Sequence, residues 1–169
     1  MEFRFETAYT PKSMAVMAKA LRKTVRRKRS RRSHIFGVTV AVLGCILIFS
    51  ASEFNFRLFI TGAVVVILIA ALIFEDHING YFAYKRMLPG MDSSVVSFHE
   101  EGYHSETALG SSDFPYTNIQ AIAETPQYYV FIFSASHGQI YDKRSITGGT
   151  CESFSEFISR KTDKRIISL

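Results

Sequence analysis

Two runs without a charged residue, 35–52 and 58–74, constrain this chain more than anything else in it. Each has about the 17 to 25 residues that cross a bilayer core of about 30 Å. A soluble fold would have to bury both helices on every side, and the remainder of the 169 residues is too short to do so. The runs are therefore read as membrane spans. Between them lies the loop 53–57, Glu53-Phe54-Asn55-Phe56-Arg57, too short for a domain and carrying two rings suited to the interface. The spans should form a tight hairpin. Gly37, Ala41 and Gly44 share one face of the first, and Gly62, Ala63 and Ala70 supply small residues to the second, which permits close backbone approach. No Asp, Glu, His, Lys or Arg lies inside either run, which disfavours a transporter with a mid-membrane proton or ion site.

Charge sets the orientation. Residues 1–34 carry eleven basic and two acidic side chains, whereas residues 35–169 carry nine and thirteen. A basic flank stays in the cytoplasm, and the hairpin returns the chain to the same side. Both termini should then be cytoplasmic in a multi-pass protein. Ser50-Ala51-Ser52 imitates a signal-cleavage site, but a long, strand-like and basic segment precedes it, so the first run is expected to stay. Arg26, Arg27, Lys28, Arg29, Arg31 and Arg32 are the candidate contacts to anionic lipid headgroups. Nucleic acid, the competing polyanion, is not expected, because topology and lipid already account for the cluster.

The segments on either side of the hairpin can be read as follows. Phe3, Phe5 and Thr7 alternate with Glu2, Arg4 and Glu6, giving a half-buried strand within 1–9. Thr10 and Pro11 open a basic juxtamembrane helix over 10–34, with Met14, Met17, Leu21 and Val25 as its apolar stripe, expected near the lipid surface. Residues 75–91 read as a linker. From 92 to 169, short alternating runs separated by turn residues indicate a small antiparallel sheet. Strands are expected over 95–99, 103–108, 112–114, 121–124, 128–133 and 139–142, with Glu101-Gly102 as the first hairpin turn. Phe154, Phe157 and Ile158 mark the inner face of a closing helix over 151–161. An isolated strand is unstable, so Phe3 and Phe5 are expected to dock on the sheet beyond the hairpin.

Several groups could carry chemistry. With the turn at Glu101-Gly102, His99 and His104 would face each other as weak candidate metal ligands, without a third. Glu75-Asp76-His77 follows the second span and reads as a polar collar more readily than as a site. Thr147-Gly148-Gly149-Thr150 could cradle a phosphate, but lacks the Lys-Ser or Lys-Thr of a nucleotide loop. No nucleophile-elbow serine is present. Catalytic residues, metal and cofactor are therefore not expected. Residues 92–169 hold six basic and ten acidic groups, a poor surface for inositol phosphates.

Phe3 and Phe5 in an opening strand, an Arg-rich helix and two spans are followed by Val96-Ser97-Phe98 and Glu101-Gly102-Tyr103. Then come Phe114-Pro115-Tyr116-Thr117-Asn118-Ile119, the aromatic strand 128–133, Tyr141-Asp142-Lys143-Arg144 and the helix with Phe154 and Ile158. This order resembles the YcxB-like family of small bacterial membrane proteins. The resemblance implies an α+β membrane protein of the bacterial inner membrane: a two-helix transmembrane hairpin with a pleckstrin-homology-like (PH-like) cytoplasmic domain, closed by a C-terminal helix. Tyr116 departs from a Trp found in many members. No catalytic residue is carried over. The expected function is noncatalytic, an integral membrane protein presenting a protein-binding domain at the membrane. Its partner would be an unidentified protein, a second copy of the chain or, in a narrower version, a membrane-active toxin against which it confers immunity. The alternative is a membrane-bound enzyme or metal-dependent sensor using His99 and His104 or Glu75-Asp76-His77.

Overall fold

Phe3, Phe5 and Thr7 are buried and their charged neighbours exposed in the first strand, β1 (Phe3–Ala8). The computed structural model describes residues 2–51, 53 and 55–169. The sequence expectations for Ser52 and Phe54, the end of the first run and one loop ring, lie outside the described residues. After β1 come α1 (Pro11–Lys23), α2 (Arg27–Phe49), α3 (Phe56–Ile73) and α4 (Glu75–Lys85). The rest of the chain forms β2 (Ser93–Phe98), β3 (Gly102–Thr107), β4 (Gly110–Pro115), β5 (Ala121–Glu124), β6 (Tyr128–Ile132), β7 (Gly138–Asp142), α5 (Cys151–Thr162) and β8 (Ile166–Ser168).

The architecture is α+β, with two four-stranded sheets, ordered β1-β2-β3-β4 and β7-β6-β5-β8. β1 joins the first sheet antiparallel to β2, with Phe3 opposite Phe98 and Phe5 opposite Val96. Both sides of the hairpin thus contribute to one core. The short β8, absent from the sequence reading, runs parallel to β5, so the second sheet is not purely antiparallel.

The core is aromatic and centres on α5. Phe154 lies 4.7 Å from Phe5, 5.0 Å from Phe98, 5.1 Å from Tyr129 and 5.3 Å from Phe3 by ring centroids. Such tilted and edge-to-face pairs add stabilisation beyond simple area burial. Thr150 and Ser153 cap α5 reciprocally, and Thr10 and Ser13 do the same for α1 with Pro11 at its first position. Burial pushes the phenols of Tyr103, Tyr116 and Tyr141 upward, and that of Tyr129 up to about 12, because the apolar core disfavours the phenolate.

α1 differs from its sequence reading. The expected single helix over 10–34 breaks at 24–26, and the basic residues from Arg27 onward belong to α2. Its apolar face meets protein rather than lipid. Met14 and Ala15 are buried, with Gly80 of α4 against their backbone. Ala20, Leu21 and Met17 pack with Val130, Ile132 and Ile140 of the second sheet, while Val25 is exposed. The expected linker 75–91 is likewise corrected: residues 75–85 are the helix α4, fixed by its contact with α1.

α2 and α3 are both long and apolar enough to cross a membrane. Their large side chains, among them Phe36, Leu47, Val66 and Ile67, point outward from the protein. The pair packs by large residues of α3 filling hollows over small residues of α2. A Cβ on Gly44 would stand 2.4 Å from Val65, and one on Gly37 would stand 3.0 Å from Leu72. Ala41 is buried beside them. The expected contribution of Gly62, Ala63 and Ala70 is corrected. Gly62 has nothing within 4 Å of its Cβ position, and Ala63 and Ala70 are exposed.

Candidate functional site

The mouth of the hairpin carries the densest polar arrangement. Arg22, in the last turn of α1, donates two hydrogen bonds to Asp76 in the first turn of α4, Nε to Oδ1 at 2.7 Å and a terminal nitrogen to Oδ2 at 2.6 Å. His34 of α2 lies 2.6 Å from Glu75, whose carboxylate is also 3.7 Å from Arg22. Asp76 and Glu75 suit the positive end of α4, and Arg22 offers the planar fork that a carboxylate matches. Three helices are thereby clamped at one level, immediately before Ile35. Glu75-Asp76-His77 is therefore split in role: the two carboxylates hold α1 and α2, while His77 lies edge-on to Phe74 at 6.3 Å. The joining of Arg22 and His34 to this cluster was invisible in the sequence, because 54 and 41 positions separate the partners.

The histidine pair is placed otherwise than expected. The first hairpin turns at Glu100 and Glu101, with His104 opposite Ser97 and the His99 amide donating to the Gly102 carbonyl at 2.8 Å. His99 and His104 do not face each other. His104 Nδ1 is 2.7 Å from Asp113 of β4, and His99 is 3.9 Å from Glu2. The turn is fixed by Tyr116, whose hydroxyl donates between the carbonyl oxygens of His99 at 2.6 Å and Gly102 at 2.9 Å. Among the described residues no group of three His, Cys, Asp or Glu side chains is arranged to hold a metal ion. Replacing His99 and His104 together by alanine is expected to change stability by less than about 1 kcal/mol, since exposed pairs contribute little. Chemical denaturation measures this, and stoichiometric zinc lost with the double substitution would reinstate a metal site.

The glycine loop 147–150 serves packing. Gly148 has a φ of +85°, and a Cβ there would stand 1.9 Å from the Glu2 carbonyl oxygen; a Cβ on Gly149 would stand 2.4 Å from Phe3. Arg4 and Thr147 exchange backbone hydrogen bonds of 3.1 and 2.9 Å. The space that a phosphate would need is taken by β1.

Two surfaces remain. The outer edge of β4 has no strand partner among the described residues, and Gly110, Ser111, Ser112 and Asp113 are exposed. The other is the basic segment. Arg27, Lys28, Arg29, Arg31 and Arg32 project from the first turns of α2 and are exposed, whereas Arg26 is tied to the Ala135 carbonyl in the loop between β6 and β7. Phe3 and Phe5 are fully buried docking residues.

Residues 98–158, from the end of β2 into α5, match the family described as YcxB-like protein. The resemblance read from the sequence holds over that segment. No curated protein matches the chain.

Proposed function

We propose, from the YcxB-like match over residues 98–158 and the exposed hairpin, that this chain is a noncatalytic integral protein of the bacterial inner membrane. It crosses the bilayer twice, keeps both termini cytoplasmic and offers its sheet domain to a protein partner. The domain is read as PH-like: two sheets closed by α5, with β1 supplied from the far side of the hairpin. The observation that carries the partner-binding role is the open β4 edge, where unpaired backbone groups and small side chains can receive an extended segment. The clamp of Arg22, Asp76, Glu75 and His34 supports the reading too, since it ties α1, which packs on the second sheet, to the helices at the mouth of the hairpin. Immunity against a membrane-active toxin is the narrower form of the same role. It would use the exposed faces of α2 and α3 as well.

Two measurements test this. With Cys45 and Cys151 replaced by Ser, an impermeant thiol reagent is expected to label a Cys placed at Asn55 from outside the cell, and not one placed at Leu169. The opposite pattern overturns the topology. A photocrosslinking residue at Ser111 in native membranes is expected to trap one discrete protein adduct that the same residue at Asp163 does not. Identical patterns from the two positions would remove β4 as the binding edge.

A further inference from the structure

An open cleft of about 460 Å³ lies where α1 turns into α2 and the last residues of the sheet domain come down beside them. It is lined by Lys23, Arg27, Ser30 and Arg31 on the helices and by Ile167 and Leu169 on the domain, with Arg22 and His34 also in the lining. Arg22 and His34 are committed to Asp76 and Glu75. Lys23, Arg27 and Arg31 are exposed, and among the described residues no ion pair involves them. No acidic side chain lines the walls; the one carboxylate on a lining residue is the main-chain group of Leu169, and among the described residues it forms no ion pair. Arg27 and Arg31 are one helical turn apart and so share a face. They stand at the N-terminus of α2, where the helix has no side-chain cap and its dipole adds to their field.

We propose that this cleft is a binding site for one phosphodiester, the headgroup of an anionic phospholipid, held by Arg27, Arg31 and Lys23 with Ser30 as a further donor. Arginine suits the task because its fork meets phosphate oxygens in pairs. A free phosphate shares that chemistry, but position favours the lipid. The first apolar residue of the span, Ile35, follows His34 directly and is exposed, and Phe36, Val38 and Val42 continue an exposed apolar surface down α2. Acyl chains can lie along that surface while the headgroup occupies the cleft. Ile167 and Leu169 place the bound lipid against the sheet domain as well, so it joins span and domain. The site rests on the reading of α2 as a membrane span. It differs from general attraction of a basic segment to an anionic leaflet, because Lys28 and Arg32 carry the same charge and do not line the cleft.

Native mass spectrometry of the full chain in phosphatidylcholine nanodiscs, titrated with phosphatidylglycerol, tests the site. One phosphatidylglycerol per chain is expected to be retained. Arg27→Gln with Arg31→Gln is expected to weaken retention by roughly tenfold or more, and the charge-matched pair Lys28→Gln with Arg32→Gln by less than about twofold. Equal weakening by the two pairs would reduce the effect to surface electrostatics and overturn the cleft. Displacement of the lipid by millimolar inorganic phosphate would assign the cleft to a soluble anion and overturn the lipid. Extraction of the chain from cell membranes by alkaline carbonate would instead overturn the span itself, so the two failures are distinguishable.

Discussion

Alanine at both Phe3 and Phe5 is expected to unfold the sheet domain, although the whole α2–α3 hairpin intervenes between these residues and the strands they join. Phe5 lies within 6.2 Å of four rings, those of Phe98, Tyr129, Tyr141 and Phe154, and Phe3 packs on Phe154 and Phe157 at 5.3 and 5.2 Å. Both are fully buried. Truncating one such Phe costs about 3 to 5 kcal/mol. Because both rings share Phe154, the two losses will not simply add. Even so, they approach the whole stability of a small domain, about 5 to 15 kcal/mol. Limited proteolysis of the full chain should show cleavage throughout residues 93–168 in the double variant, while Phe36→Ala, on the outward face of α2, leaves the pattern unchanged. If residues 92–169 expressed alone resisted protease as well as the full chain does, β1 would be an independent arm.

That coupling was legible in the sequence for a simple reason. Alternating Phe and charged residues in a short strand demand a wet side and a dry one, and only the distant sheet offered the latter. The same period-two signal located the strands and the inner face of α5. It did less well with register. Glu101-Gly102 looked like the turn because glycine favours turns, but Gly102 is small for another reason: a Cβ there would stand 2.7 Å from the Phe114 carbonyl oxygen of the neighbouring β4. The turn moved one residue back, which took His104 away from His99 and gave it to Asp113. β8 was not legible because three residues carry too little pattern, and β5 supplies their hydrogen bonds. In α3 small residues are abundant without forming the packing face. The contact is made by Val65 and Leu72 entering hollows over Gly44 and Gly37, so composition pointed to the right half of the pair on only one helix. The clamp and the basic cleft were hidden for a third reason. The cleft depends on the break at 24–26 and the clamp on α4 folding back along α1, neither of which has a hydrophobic signature.

Gly80 explains why α4 left no such signature, and it supplies the second large expected effect. A Cβ at Gly80 would lie 2.3 Å from the Ala15 amide nitrogen, 2.5 Å from the Ala15 Cα and 2.8 Å from the Met14 carbonyl carbon. These are backbone atoms, which cannot swing aside as a side-chain tip can, so α1 and α4 touch main chain to main chain. In an open helix, Gly→Ala stabilises by about 1 kcal/mol. Here the sign should reverse, because the added methyl forces the helices apart and overpacking alone costs about 1 to 3 kcal/mol. Separation would also stretch the Arg22–Asp76 fork, whose two hydrogen bonds of 2.7 and 2.6 Å need their present alignment. Gly80→Ala is therefore expected to destabilise by about 2 kcal/mol or more and to speed amide hydrogen exchange in both α1 and α4. Gly62→Ala is the matched control, since its Cβ position is open, and it should leave exchange in those helices unchanged. A stabilised Gly80→Ala chain would mean that α1 and α4 are not in contact. It would also leave the Arg22–Asp76 fork to tie the two helices together.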